Sequence, residues 1–338
     1  MKKWISLMLV IAMALCLSAC AKTDDADESL KVAVVLAGAT GDRSFYDSAN
    51  EGLQALIAAG GVKGTLLECQ NDASMFTTNL ISAAESNDVV VAVGWEFWDA
   101  LTEYAPQLPD TKFIFVDNGL DGVGDNLLSI TYAQNEGSFL VGYIAGKLTQ
   151  TNKIGAVGGE DSETINDFIV GYRAGAEYAN PDVEVQTQYA NTYEDPAKGK
   201  ELALVLYDNG CDIIFQVASR TGEGVFEAAA ERGMYAIGVD GDQKYINPDV
   251  IICSMVKEVG LSIQQTVTAL LNDGTWEGGQ IWVADMATGL VDVVYGIESG
   301  ENAMPQQVSD ELKAEVEQIK DAIINGEIEV PTAFVTNG

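Results

Sequence analysis

The chain has 338 residues, 51 acidic against 18 basic side chains, a formal net charge of −33 and no histidine. A field of that sign repels nucleic acid and anionic lipid surfaces. The missing imidazole excludes Ser-His-Asp and Cys-His catalysis and removes the commonest transition-metal ligand.

In chain order, Lys2 and Lys3 precede an apolar run from Ile5 to Leu17. That is the length of a secretory h-region and too short to span a bilayer comfortably. The run ends in Leu17-Ser18-Ala19-Cys20, which resembles a bacterial lipobox, with residues 1–19 as signal peptide and Cys20 acylated as the mature N-terminus. Two or more acyl chains there make a stable membrane tether. Residues 20–29 carry Asp24, Asp25, Asp27 and Glu28 and read as a flexible acidic stalk, too polar to build a core. Removing the leader takes away two lysines and no acid, so −33 becomes −35. Three scattered cysteines, Cys69, Cys211 and Cys253, sit beside apolar residues. They read as small buried hydrophobes rather than a disulfide or zinc framework.

The body, about 310 residues, suggests two domains. The first predicted series is strand 31–37, helix 44–59, strand 65–69, helix 77–86, strand 89–93, helix 96–104 and strand 112–116. All-apolar runs such as Val89 to Val93 suit a parallel sheet covered on both faces. A second series follows: helix 136–149, strand 153–157, helix 163–179, strand 183–189, helix 196–209, strand 212–217, helix 223–232 and strand 235–239. Strands near 250–255, 280–285 and 290–295, with helices near 257–272 and 309–325, are too few for a third domain and complete the other two. The alternation predicts two similar α/β units with right-handed crossovers.

Ligands of open parallel sheets bind beyond the carboxyl ends of the strands. Those positions hold Phe45 and Tyr46 after strand 31–37, Trp95 after 89–93, Asp117 after 112–116, Tyr193 after 183–189, and Arg220 and Gly222 after 212–217. Asp240 and Lys257 follow the two succeeding strands. Aromatic rings offer apolar faces to a base or sugar; Asp240 can accept from neighbouring hydroxyls, Lys257 can donate to them, and Asp117 can receive N–H donors. Each also has a plain structural reading: helix-start packing for Phe45 and Tyr46, core packing for a tryptophan, a turn cap for Asp240, a solvated charge for Lys257. Enzyme readings are poorer. Asp240 and Asp242 stand on one turn, which sets no acid–base gap. Gly222-Glu223-Gly224 heads a helix like a phosphate cradle, but Glu227 stands where the third glycine belongs.

Several segments together resemble the basic membrane protein (Bmp) family: Phe45 to Gly52, Glu136 to Gly146, Thr151 to Gly159, Gly171 to Gly175, Asp195 to Glu201, Thr221 to Phe226 and Gly238 to Gln243. "Basic" is a historical name, since this chain is strongly acidic. These are substrate-binding lipoproteins of ABC transporters, many binding purine nucleosides. The resemblance implies a type I periplasmic-binding-protein fold, two Rossmann-like parallel-sheet domains joined by a three-crossing hinge. It implies lobes of residues 30–133 plus about 256–285, and 134–255 plus about 286–338, closing on a nucleoside. By position it makes Phe45 the stacking ring and Asp240 and Lys257 the ribose contacts; Tyr193 and Asp117 fit by analogy with related sugar binders. Two positions depart from the family: Tyr46 replaces the usual Asn, and Ser219-Arg220-Thr221-Gly222 replaces Gly-Gly-Thr-Gly, setting a bulky cation where a ligand approaches the backbone. The expectation is a monomeric, lipid-anchored binding protein on the outer face of the cell membrane, with a small-molecule ligand and a permease partner. No catalytic residue, cofactor, metal or nucleic acid enters it. A sugar, riboflavin or another heterocycle as ligand, or a sensing role, stays open.

Overall fold

The computed structural model describes residues 29–334. The signal peptide, Cys20 and all but the last residue of the expected stalk lie outside them.

The apolar runs become twelve strands in two sheets among the described residues. In the first, β1 (Leu30–Leu36), β2 (Val62–Glu68), β3 (Val89–Val93), β4 (Lys112–Val116), β5 (Leu127–Tyr132) and β11 (Gln280–Ala284) stand in the order β11-β5-β4-β3-β1-β2, all parallel. The second holds β6 (Lys153–Gly158), β7 (Glu184–Tyr189), β8 (Ile213–Val217), β9 (Tyr235–Asp240), β10 (Ile251–Lys257) and β12 (Val291–Val294), ordered β12-β10-β9-β8-β6-β7. Here β12 runs antiparallel to β10. The predicted pair of α/β units is therefore present, with one antiparallel edge.

Alternate residues of β3 face different cores: Val89, Val91 and Val93 join one cluster, Val90 and Ala92 another. Covering both faces is what an uninterrupted apolar strand requires. Helices α1 (Phe45–Ala59), α2 (Ala73–Ala84), α3 (Trp98–Tyr104) and α8 (Val259–Asp273) accompany the first sheet. Helices α4 (Gln134–Leu148), α5 (Glu163–Ala179), α6 (Pro196–Asp208), α7 (Glu223–Arg232) and α9 (Asp310–Ile324) accompany the second.

One strand was not expected. β5 follows a run of Gly, Asp and Asn from 118 to 126 that reads as loop, and its polar Ser129 and Thr131 break the apolar signal. Ser129 is nonetheless fully buried, donating to Leu120 O and accepting from Leu120 N. The predicted helix 96–104 opens instead as a 3-10 turn, Trp95–Phe97.

Among the described residues the chain passes between the sheets three times: from Tyr132 through α4 to Lys153, from Lys257 through α8 to Gln280, and across residues 285–290. The first passage is anchored by backbone-to-backbone packing. A Cβ on Gly142 would stand 2.0 Å from Tyr172 O, on Gly171 2.1 Å from Asn135 O, and on Gly175 1.9 Å from Phe139 O. Glycine lets α4 and α5 approach this closely, which accounts for the glycine spacing of both segments. At the chain's end, Asn135 Nδ2 donates to Val330 O and Pro331 O, while buried Asp167 accepts from Thr332 Oγ1 and Ala333 N.

Candidate functional site

A cavity lies between the carboxyl ends of the two sheets, with about 660 Å³ of atom-free space counted out to its mouth.

The first wall begins at the head of α1. Asp42, not the N-cap Ser44, caps this helix: its carboxylate accepts from the N–H groups of Ser44, Tyr46 and Asp47 at 3.0–3.1 Å. The Ser44 hydroxyl is thereby free to donate to Asp240 Oδ2 across the cleft, at 2.7 Å. Burial pushes the Asp42 carboxyl up to about 6, against those three N–H donors. Asp42 also accepts from Ser219 Oγ of the other wall at 3.0 Å. Phe45 and Tyr46 follow, their rings edge to face at 5.2 Å, with Tyr46 lying against Gly38. Beyond β3, Gly94 at φ +121° turns the chain so that Trp95 stands half exposed at the rim and Glu96 lines the cavity. Asp117 follows β4 directly, with φ +76°.

The second wall is built from β6, β8, β9 and β10. Ser162, Thr164, Ile165 and Phe168 come from the head of α5 and the loop before it; the Tyr193 ring lies against Gly159. Asp240, at φ +64°, is buried. Its Oδ2 takes the Ser44 hydrogen bond, and its Oδ1 finds no hydrogen-bond partner among the described residues. Burial raises the Asp240 carboxyl from its ordinary range, opposed by Lys257 and Ser44 and reinforced by Asp117. Lys257, 2% exposed, holds Asp117 Oδ1 at 2.7 Å, with its ammonium 4.9 Å from the Phe45 ring centre, 5.1 Å from Tyr132 and 5.2 Å from Phe168. Aromatic faces and one carboxylate thus compensate a desolvated cation.

Of the residues singled out by sequence, Phe45, Tyr46, Trp95, Asp117, Tyr193, Asp240 and Lys257 meet on this cavity. Arg220 and Gly222 do not. Arg220 is turned outward toward Glu194 at 3.7 Å, its side chain 56% exposed, where solvent and a carboxylate serve the guanidinium better than the cleft would. Ser219, at φ +48°, is the residue of that loop on the wall. Gly222 faces the interior, where a Cβ would stand 1.7 Å from Gln216 Oε1. Sequence reasoning passed over Glu96, Ser44 and the Ser162–Phe168 segment. The strand-end rule applied to β6 would have found the last.

Several groups can hold a ligand by hydrogen bond and ring contact. Among the described residues lining the cavity, Lys257 is the sole cation, set against the carboxyl groups of Glu96, Asp117 and Asp240. No helix among the described residues is long and apolar enough to cross a membrane.

Comparison with known proteins agrees with this architecture. Residues 29–333 match the family model Bmp, described as ABC transporter substrate-binding protein PnrA-like. Basic membrane protein A of Borreliella burgdorferi is 34% identical, over 97% of this chain and 95% of that protein. The ABC transporter nucleoside-binding protein BmpA of Lactococcus lactis subsp. cremoris is 33% identical, over 98% of this chain and 100% of its own length. Among solved structures, an ABC transporter solute-binding protein from Aeropyrum pernix superposes with a TM-score of 0.78 at 27% identity, covering 89% of this chain and 94% of that one.

Proposed function

The chain belongs to the Bmp family of ABC transporter substrate-binding proteins, which carry a small-molecule ligand to a permease, and from that premise we propose that its cleft captures a nucleoside, a purine one. The ribose sits at Asp240 and Lys257, and the base stacks on Phe45 with Trp95 and Tyr193 beside it. The observation that carries the reading is the buried, partnerless Oδ1 of Asp240 beside an ammonium framed by aromatic rings. A buried acceptor of this kind is costly unless a ligand supplies the donor, and a ribose hydroxyl is a donor of the right size. The acidic wall speaks against phosphorylated ligands, because Lys257 is already engaged by Asp117. This favours a nucleoside over a nucleotide.

In this reading the chain is a monomeric binding protein and not an enzyme. It is tethered through Cys20 to the outer face of the cell membrane, its two lobes closing about the three passages between the sheets. A ligand that contacts both walls favours the closed form by its differential contacts alone. Mass spectrometry of the denatured protein should release a copurified nucleoside. Titration calorimetry should give heat with adenosine, guanosine or inosine and little with ribose, riboflavin or AMP. Absence of heat with every nucleoside would refute the assignment.

A further inference from the structure

We propose that Glu96 selects among ring compounds by donating a hydrogen bond from its neutral carboxyl to an acceptor atom of the ligand's heterocycle. The proposal rests on the nucleoside reading above and adds the group that reads the base.

Placement comes first. Glu96 lines the same cavity as Phe45, Asp117 and Asp240, and its Oε2 is buried without a hydrogen-bond partner among the described residues. The local chain makes room for it: a Cβ on Gly94 would stand 2.4 Å from that oxygen, and the φ of +121° there disfavours any side chain. The other carboxyls of the wall are taken. Asp117 holds Lys257, and Asp240 holds the Ser44 hydroxyl with its second oxygen assigned to the sugar. Glu96 is the carboxyl left with neither cation nor hydroxyl among the described residues.

Its charge state follows from its surroundings. Burial raises the carboxyl to about 7, its own backbone N–H opposing and Asp117 and Glu160 adding to the rise. Facing it are Asp117 at the end of β4, Glu160 beyond β6, Tyr46 on α1, Tyr193 beyond β7 and Cys69 beyond β2; none is a cation. Burial also keeps both tyrosine hydroxyls and the thiol protonated. Below about 7, then, Glu96 offers an O–H donor; above it, a carboxylate that repels ring nitrogens and carbonyls. Every purine carries ring-nitrogen acceptors, and hypoxanthine and guanine add a carbonyl oxygen; a bare sugar ring lacks both.

The test is calorimetric titration of the full chain with inosine and adenosine from pH 6 to 9, for the wild type, Glu96→Gln and Glu96→Ala. Wild-type affinity should weaken above about pH 7 by up to about tenfold per pH unit. Glu96→Gln keeps an uncharged N–H donor; it should stay within about threefold of the wild type at pH 6 and lose the dependence. Glu96→Ala should be weaker at pH 6 by about tenfold or more, with circular dichroism confirming its fold; if it does not fold, Glu96→Gln carries the test alone. A wild-type affinity that is flat or strengthens with pH overturns the proposal, as does a pH step that persists in Glu96→Gln and so belongs to Asp42. Nucleoside binding indifferent to Glu96 refutes this inference and leaves the assigned function standing. Failure of the wild type to bind any nucleoside refutes both.

Discussion

Asp117 closes β4 in the first sheet and Asp240 closes β9 in the second, the third strand in the order of each, and both have left-handed backbone, φ +76° and +64°. The duplicated architecture supplies the same position twice. What differs is the partner. Lys257 ends β10, the strand beside β9, where Val256 pairs with Asp240. Its ammonium nevertheless reaches over to Asp117 of the opposite sheet. One aspartate is therefore neutralised across the cleft, while the other keeps an open oxygen beside a cation already in use. A repeated fold thus becomes an asymmetric site through the direction of one side chain.

Removing that side chain is the severest challenge to this contrast. Lys257→Met should leave buried Asp240 and partly buried Asp117 as unbalanced acids, costing about 3–5 kcal/mol in urea unfolding and abolishing nucleoside heat. A loss below about 1 kcal/mol would mean that the pair does not organise the site.

Neutralising each aspartate separately sharpens it. Asp240→Asn should weaken nucleoside binding by about 1.5–3 kcal/mol, the worth of a charged hydrogen bond. It should leave unliganded stability equal or higher, since burial already disfavours that charge. Asp117→Asn should do the reverse, lowering unliganded stability by about 2–3 kcal/mol through the orphaned ammonium. Identical profiles for the two variants would break the comparison.

The smallest effect is in pH. The folded chain holds protons on Asp42 up to about 6 and on Glu96 up to about 7, whereas their ordinary values are 3.8 and 4.5. Between those limits the native state binds more protons than the unfolded one. Stability from these groups is complete below about pH 4 and is lost as pH rises through 6 and 7. Glu96→Gln should flatten the upper part of that fall. Its melting temperature should exceed the wild type's by about 2–4 °C at pH 8 and match it near pH 4.

How much of this was legible beforehand depended on the kind of signal. Strands β3 and β4 and helices α5 and α7 were readable to the residue, because their apolar runs or stripes begin and end at polar or turn-forming neighbours. β5 was not, since its buried polar Ser129 is satisfied by Leu120, a partner invisible in the pattern. The strand-end rule gathered Phe45, Asp117, Asp240 and Lys257, which lie far apart in the chain. It could not say that Lys257 turns to Asp117, nor that Arg220 turns away, because side-chain direction depends on what stands opposite. Glu96 stands directly after Trp95, and no pattern in the sequence marks it. Its oxygen's isolation is a property of the assembled cavity, not of the sequence.

The meeting of α4 with α5 has a consequence for remote control of affinity. Because Gly142, Gly171 and Gly175 touch main-chain oxygens, no rearrangement of surrounding side chains can absorb even a methyl group there; the helix axes must part. α4 begins just after the chain leaves β5, whose Tyr132 ring flanks the Lys257 ammonium. Parting these helices would therefore shift the Thr164, Ile165 and Phe168 stretch of α5 that lines the cleft, making these glycines a place where capture strength can drift while the residues of the cleft stay the same.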